Sequence, residues 1–234
     1  FKWKKYEESM KLHKEAERIF RQLGNLSGLS ISFDNQARIL EIWNQFEEAM
    51  ALYKEQERIC RQLGYLDGLS RSLGSQANIL YKWGNLKESM ALHKAAERIF
   101  RHLGNQDDLL TSLANQALIL KHWNKIEDAF ALYKEEERIC RELNDLNRLQ
   151  NSLNNQGNIL FGWGKFEEAL NMHKEQERVC RQLRVLDGLF TSLNNQAIIL
   201  NELGRLEETM ALHKEGEQIC RQLCNLNWLQ LSMD

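Results

Sequence analysis

The chain has 234 residues, 27% of them charged and 43% hydrophobic, with a formal net charge of −2. That balance fits an ordered chain and lacks the basic excess of a nucleic-acid binder. No apolar run is long enough to span a bilayer, and the basic start Phe-Lys-Trp-Lys-Lys lacks the apolar stretch of a signal peptide.

There is no proline, so no element carries an internal helix breaker. Alternating β-branched runs between turn clusters are also missing, which leaves helix as the expected element throughout. In chain order, the expectation is one helix of a truncated first unit, five complete helix pairs, and a short new start near Trp228. The period from Asp67 to Asn105 is representative. Helix A is expected from about Leu69 to Trp83, with Asp67 as its cap. Its apolar stripe is Leu69, Leu73, Ala77 and Leu80, with Ile79 and Trp83 beside it. The turn Gly84-Asn85 follows. Helix B is expected from about Leu86 to Leu103, with Gly104 as a left-handed C-cap. Met90, Leu92, His93, Ile99, Phe100 and Leu103 repeat there at helical spacing.

The same pattern returns every 40 residues: Trp3, Trp43, Trp83, Trp123 and Trp163 share it, as do Gln36, Gln76, Gln116, Gln156 and Gln196. A fixed period of this size signals a solenoid, in which each hairpin buries its stripe on the next. The chain therefore reads as one repeat array over 1–234, with units starting near 27, 67, 107, 147 and 187 and partial units at both ends. Phe1 enters at the last turn of a missing helix A, and Asp234 stops inside another. Open ends of this kind imply a segment of a longer protein or end-to-end stacking of copies.

Candidate chemistry is sparse. His13, His93, His173 and His213 alternate with Tyr53 and Tyr133 one repeat apart, which suits core filling and leaves the column too widely spaced for a metal. Cys60, Cys140, Cys180 and Cys220 share a register with Phe20 and Phe100, as apolar core positions do. Cys220 and Cys224 lie one turn apart with no nearby ligands. Reduced thiols in a cytoplasmic setting fit a chain this large. The regular tryptophans read as packing residues. Glu57 and Arg61, and their equivalents, read as ion pairs on a solvated face. The glutamine column reads as a satisfied amide bridging adjacent repeats. No phosphate loop, nucleophile elbow or metalloprotease motif is present, so neither an enzyme nor a cofactor is expected.

Leu193 to Leu200 (Leu-Asn-Asn-Gln-Ala-Ile-Ile-Leu) and Gly164 to Ala169 (Gly-Lys-Phe-Glu-Glu-Ala) resemble tetratricopeptide (TPR) repeats, in the lengthened form of kinesin light chains. Small residues in mid helix A (Ala37, Ala77, Ala117, Gly157, Ala197) match that pattern. So do those opening helix B (Ser9, Ala49, Ser89, Ala129, Ala169, Thr209). The 40-residue period, the missing closing proline and the glutamine column depart from the common repeat of ~34 residues. The resemblance implies an all-α, right-handed superhelical solenoid of antiparallel helix pairs, with helix A on the concave wall.

One helix-A stripe is not apolar. Positions 31, 34, 35, 38 and 42, and their equivalents, share a face. Most of them vary, as in Arg38, Asn78, Leu118, Asn158 and Ile198. One is nearly fixed: Asn35, Ser75, Asn115, Asn155 and Asn195. An amide both donates and accepts, so a row of them can hold an extended main chain while varied neighbours choose side chains. The resemblance implies the same arrangement, an asparagine ladder. The expected peptide-binding residues are Asn35, Arg38, Arg71, Ser75, Asn78, Asn115, Lys121, Asn155, Asn158 and Asn195. Arg38, Arg71, Lys82 and Lys121 suggest a local preference for an acidic ligand. The expected function is a protein-interaction scaffold or sensor arm with a protein or peptide partner, and no nucleic acid or membrane. The alternative is a structural element that self-associates end to end.

Overall fold

A computed structural model describes the backbone of residues 2–231 and the side chains of residues 3–222. The described residues are helical almost throughout, in the order α1 (Lys2–Leu23), α2 (Leu26–Ile42), α3 (Phe46–Leu63), α4 (Leu66–Lys82), α5 (Leu86–Leu103), α6 (Gln106–His122), α7 (Ile126–Leu143), α8 (Leu146–Gly162), α9 (Phe166–Leu183), α10 (Leu186–Glu202) and α11 (Leu206–Leu231). No helix among them is long and apolar enough to cross a membrane. The chain forms two compact units, residues 1–123 (α1–α6) and residues 124–234 (α7–α11). Each is an all-α stack of helical hairpins, as the repeat demands.

Helix B of the representative period falls at Leu86–Leu103 and ends on left-handed Gly104, φ 67°. Helix A begins three residues earlier than expected, at Leu66, because the cap is position 65 and not Asp67. Equivalent caps Asn25, Asn105 and Asp145 accept a hydrogen bond from the backbone N–H three residues on. Asp67 lies inside the first turn and pairs with Arg71 one turn later. The expected new start near Trp228 is not a separate helix, since the backbone of α11 runs on through it to Leu231. Gly64, Gly104, Asn144 and Arg184 each turn left-handed at that point of the preceding repeats. Cys224 stands there instead, and the backbone of α11 continues without that turn. The side chains of Cys224 and Trp228, like Phe1 and Asp234, lie outside the described residues.

The core of each unit lies between its A and B layers. In the first unit Ala37, Ala49, Met50, Tyr53, Ile79 and Leu80 form one cluster. In the second, Leu160, Ala169, Leu170, Ile199 and Leu200 do the same. Tyr53, His93, Tyr133 and His173 are buried, whereas His13 and His213, near the ends, are not. Cys60, Cys140 and Cys180 are buried free thiols, while Cys220 is exposed.

The tryptophans are a correction. Trp83 is 41% exposed, and Trp123 and Trp163 are similar, because each sits on the C-cap residue of its helix A at the rim. Spacing alone cannot separate a rim aromatic from a core one. Leu80→Ala is therefore expected to cost about 2–5 kcal/mol, and Trp83→Ala only about 1–2 kcal/mol, since half its surface stays wet. Urea unfolding of the two variants checks the order.

The glutamine column is explained by its partners. Gln76 Nε2 donates to Glu57 Oε2 at 2.8 Å, joining α4 to the preceding helix B. Gln36–Glu17, Gln116–Glu97, Gln156–Glu137 and Gln196–Glu177 repeat that bond at 2.7–2.8 Å. A serine one turn earlier completes the clasp: Ser72 Oγ donates to the Tyr53 carbonyl at 2.7 Å. The other oxygen, Glu57 Oε1, takes Arg61 at 2.8 Å. The glutamate–arginine pairs are thus half of an inter-helix network and not merely a solvated face. Gln76→Leu removes a hydrogen bond to a charged group and is expected to cost about 1–3 kcal/mol. A change below about 0.5 kcal/mol in denaturant unfolding would contradict the clasp.

Candidate functional site

Within the first unit α2 touches α4 and α4 touches α6, while α1, α3 and α5 make no direct backbone approach to one another. The A layer is therefore the tighter, inner layer. The second unit repeats this, with α8 touching α10. There, long side chains span the B layer, as in Arg141–Glu175 and Arg181–Glu215 at 2.7 and 2.6 Å.

The varied stripe lies on this inner layer. Position 31 and its equivalents are exposed, and the row of Asn35, Ser75, Asn115, Asn155 and Asn195 is half-buried in every repeat. Half-burial leaves these amides a packed base and a reachable polar end. Asn115 Nδ2 donates to Asn78 Oδ1 on the neighbouring helix at 2.8 Å. Asn195 Nδ2 lies 3.0 Å from Asn154 Oδ1 and 3.4 Å from Asn158 Oδ1. The amides therefore bridge neighbouring A helices in the free chain. Each such bond uses only part of an amide's donors and acceptors.

A cavity of about 400 Å³ opens in the first unit between α2, α4 and α6. Five expected residues meet there: Arg38, Arg71, Ser75, Asn78 and Asn115. Asp34, Glu41 and Asp108 join them. From the B layer Tyr53 and His93 also reach the cavity. In the second unit Asn158 and Asn195 line a smaller cavity of about 180 Å³ with Phe161, His173, Ile198 and Ile199. Asn35, Lys121 and Asn155 are half-buried on α2, α6 and α8, outside both cavities.

Several polar groups in the larger cavity are already engaged. Tyr53 donates to Glu41 Oε1 at 2.6 Å. Gln56 Nε2 donates to Asp34 Oδ1 at 3.3 Å. Arg71 is held by Asp67, which also takes the Tyr65 hydroxyl. Lys82 lies over the Phe46 ring, 4.3 Å from its centroid, and so serves packing, not the inner face. His93 differs from all of these. It is 1% exposed, and neither ring nitrogen has a partner among the described residues. Burial pushes its pKa down to about 4, so the ring is neutral at physiological pH. A neutral imidazole offers one donor and one acceptor. His173, its equivalent, is also lowered by burial but pairs through Nδ1 with Gln176 at 3.0 Å.

Sequence reasoning placed position 34 on the stripe without giving Asp34 a role, read Tyr53 and His93 as core alone, and missed Glu41 and Asp108. The histidine–tyrosine column was legible as buried. That it forms the floor beneath the A layer was signalled only by the small residues facing it. A Cβ on Gly157 would stand 2.6 Å from His173 Nε2.

No family model matches the sequence, and no curated protein matches it. Solved structures do match the fold. BtubC (BKLC) from P. vanneervenii is 19% identical, with 93% of this chain and 92% of that chain covered and a TM-score of 0.78. The "kinesin light chain nearly identical TPR-like repeats" of Podosopora anserina are 16% identical, with 82% and 95% covered and a TM-score of 0.66. A Rap protein complexed with Competence and Sporulation Factor is 14% identical, with 82% of this chain and 54% of that chain covered and a TM-score of 0.61. Helical hairpins, a 40-residue period and these likenesses together give the chain the fold of TPR-like repeat proteins of the kinesin-light-chain type.

Proposed function

We propose that this chain is a non-catalytic interaction scaffold or sensor arm, which binds an extended peptide or disordered protein segment on its inner A-helix faces. The observation that carries this reading is the half-buried asparagine row, present in four of five repeats (Ser75 stands in the other) beside neighbours that vary. Such a row can grip a main chain of any sequence, while exposed residues such as Arg71 and Leu118 select side chains. The Rap protein complexed with a factor supports the reading by likeness of fold. The unbroken 40-residue register supports treating residues 1–234 as one array. Buried free thiols at Cys60, Cys140 and Cys180 are compatible with a reducing, cytoplasmic setting.

The test uses a peptide selected from a displayed random library against the whole chain. Asn78→Ala combined with Asn115→Ala should weaken that peptide at least tenfold, about 1.4 kcal/mol, with the helical circular dichroism signal retained. Unchanged affinity would reduce the Asn78–Asn115 bridge to packing.

A further inference from the structure

We infer that the cavity of the first unit is a subsite for a cationic side chain, arginine or lysine, of the bound segment. This rests on the peptide-binding reading above and sharpens it.

Charge decides the sign. Asp34, Glu41 and Asp108 line the cavity, against Arg38 and Arg71. Arg71 is neutralised by Asp67, just outside the lining. Arg38 is exposed, with no ion pair among the described residues, and its guanidinium can turn to solvent. Among the described residues the lining carboxylates accept side-chain hydrogen bonds from neutral donors, the Tyr53 hydroxyl on Glu41, the Gln56 amide on Asp34 and the Asn105 amide on Asp108. Such donors do not neutralise the charge, and the attraction of Arg71, already paired with Asp67, to Asp34 offsets only part of it. An acidic side chain entering here would meet three carboxylates, whereas a cation would meet their open lone pairs.

The floor supplies an independent observation. His93 is buried to 99% of its surface, lines the cavity, and leaves both nitrogens without a partner. A buried polar group in that state costs free energy until something bonds to it. The neutral ring cannot repel a cation, and its unprotonated nitrogen can accept an N–H from one. A guanidinium, with five donors in a plane, or an ammonium, with three, can bond to carboxylate and imidazole together. The second unit provides the contrast. Its cavity is lined by Asn158, Phe161, Asn195, Ile198 and Ile199, with no carboxylate, and its histidine is already paired. That cavity suits an apolar or neutral side chain, so the cationic preference belongs to the first unit alone.

The experiment selects dodecapeptides from a displayed random library on the full chain. It then measures selected peptides against versions with the basic residue changed to glutamine, on the wild type and on Asp34→Asn/Glu41→Gln. Both substitutions keep acceptors for Gln56 and Tyr53, and melting curves verify the fold. The expected result is a basic residue at one position of the selected peptides and at least tenfold weaker binding of the glutamine versions. That tenfold preference should vanish in the double variant, whose affinity for the glutamine versions stays within twofold of wild type. Peptides selected with no basic position overturn the cationic subsite and leave the peptide-binding reading standing. A basic preference that survives the double variant overturns the assignment to this cavity. Selection of no peptide at all overturns both.

Discussion

Glu136→Gln should stabilise the second unit by about 3 kcal/mol at pH 8 and change little near pH 4. Glu136 is 5% exposed, between α7 and α8, and burial raises its carboxyl from the usual 4.5 to about 7. Arg148, the nearby cation on α8, is shared with Asp145, 3.7 Å away. Asp145 adds a like charge, and the Cys140 thiol on the same helix is itself pushed up to about 12 by burial. The raised value means that the folded state holds the proton more tightly than the unfolded one. Its contribution is complete below pH 4.5 and is lost as the pH rises to about 7. At about 1.4 kcal/mol per pH unit, the loss above that window is about 3 kcal/mol. Glutamine already stands at the equivalent buried positions 56 and 176, so the replacement fits the site. Denaturant unfolding of both proteins across pH 4 to 8 checks it. A difference that does not grow with pH would mean that Glu136 is ionised in the fold.

Tyr53→Ala should cost the first unit about 3–5 kcal/mol. Tyr53 has no exposed surface and belongs to the cluster of Ala37, Ala49, Met50, Ile79 and Leu80, so truncation opens a void that rigid helices cannot collapse. It also strips Glu41 of its 2.6 Å donor. In a stacked array the damage should spread to the adjoining hairpins first. A drop of about 12–20 °C in the melting of this unit is expected, at about 4 °C per kcal/mol for a unit this size. Tyr53→Phe, which keeps the volume, should cost far less. Equal losses for the two would place the weight on the hydroxyl and not on packing.

Much of the fold was legible because the repeat is unbroken. Forty-residue spacing fixed the hairpins, and the absence of proline fixed their helical character. Helix B could be bounded at Leu86 and Leu103 because Gly104 marks its end. The start of helix A was harder, since its cap is asparagine or aspartate in some repeats and Tyr65 or Val185 in others. Gln76 could be read as a bridging amide, but Glu57 could not be read as its partner. The four-residue spacing to Arg61 already accounts for one carboxylate oxygen, and the other bonds 19 residues along the chain. The inner stripe was legible at helical spacing, including five residues that do meet in one cavity. The acidic character of that cavity was not. Asp34, Glu41 and Asp108 come from two separate A helices, and His93 comes from the layer beneath.

The account stands on a ligand lying against the A helices. Side-chain amide NMR of the whole chain, titrated with a library-selected peptide, tests this most directly. The account predicts that the Asn78 and Asn115 side-chain signals shift in proportion to occupancy. Backbone signals around Arg58, on the opposite layer, should stay in place. Saturable shifts confined to the B helices, with Asn78 and Asn115 unmoved, would contradict it.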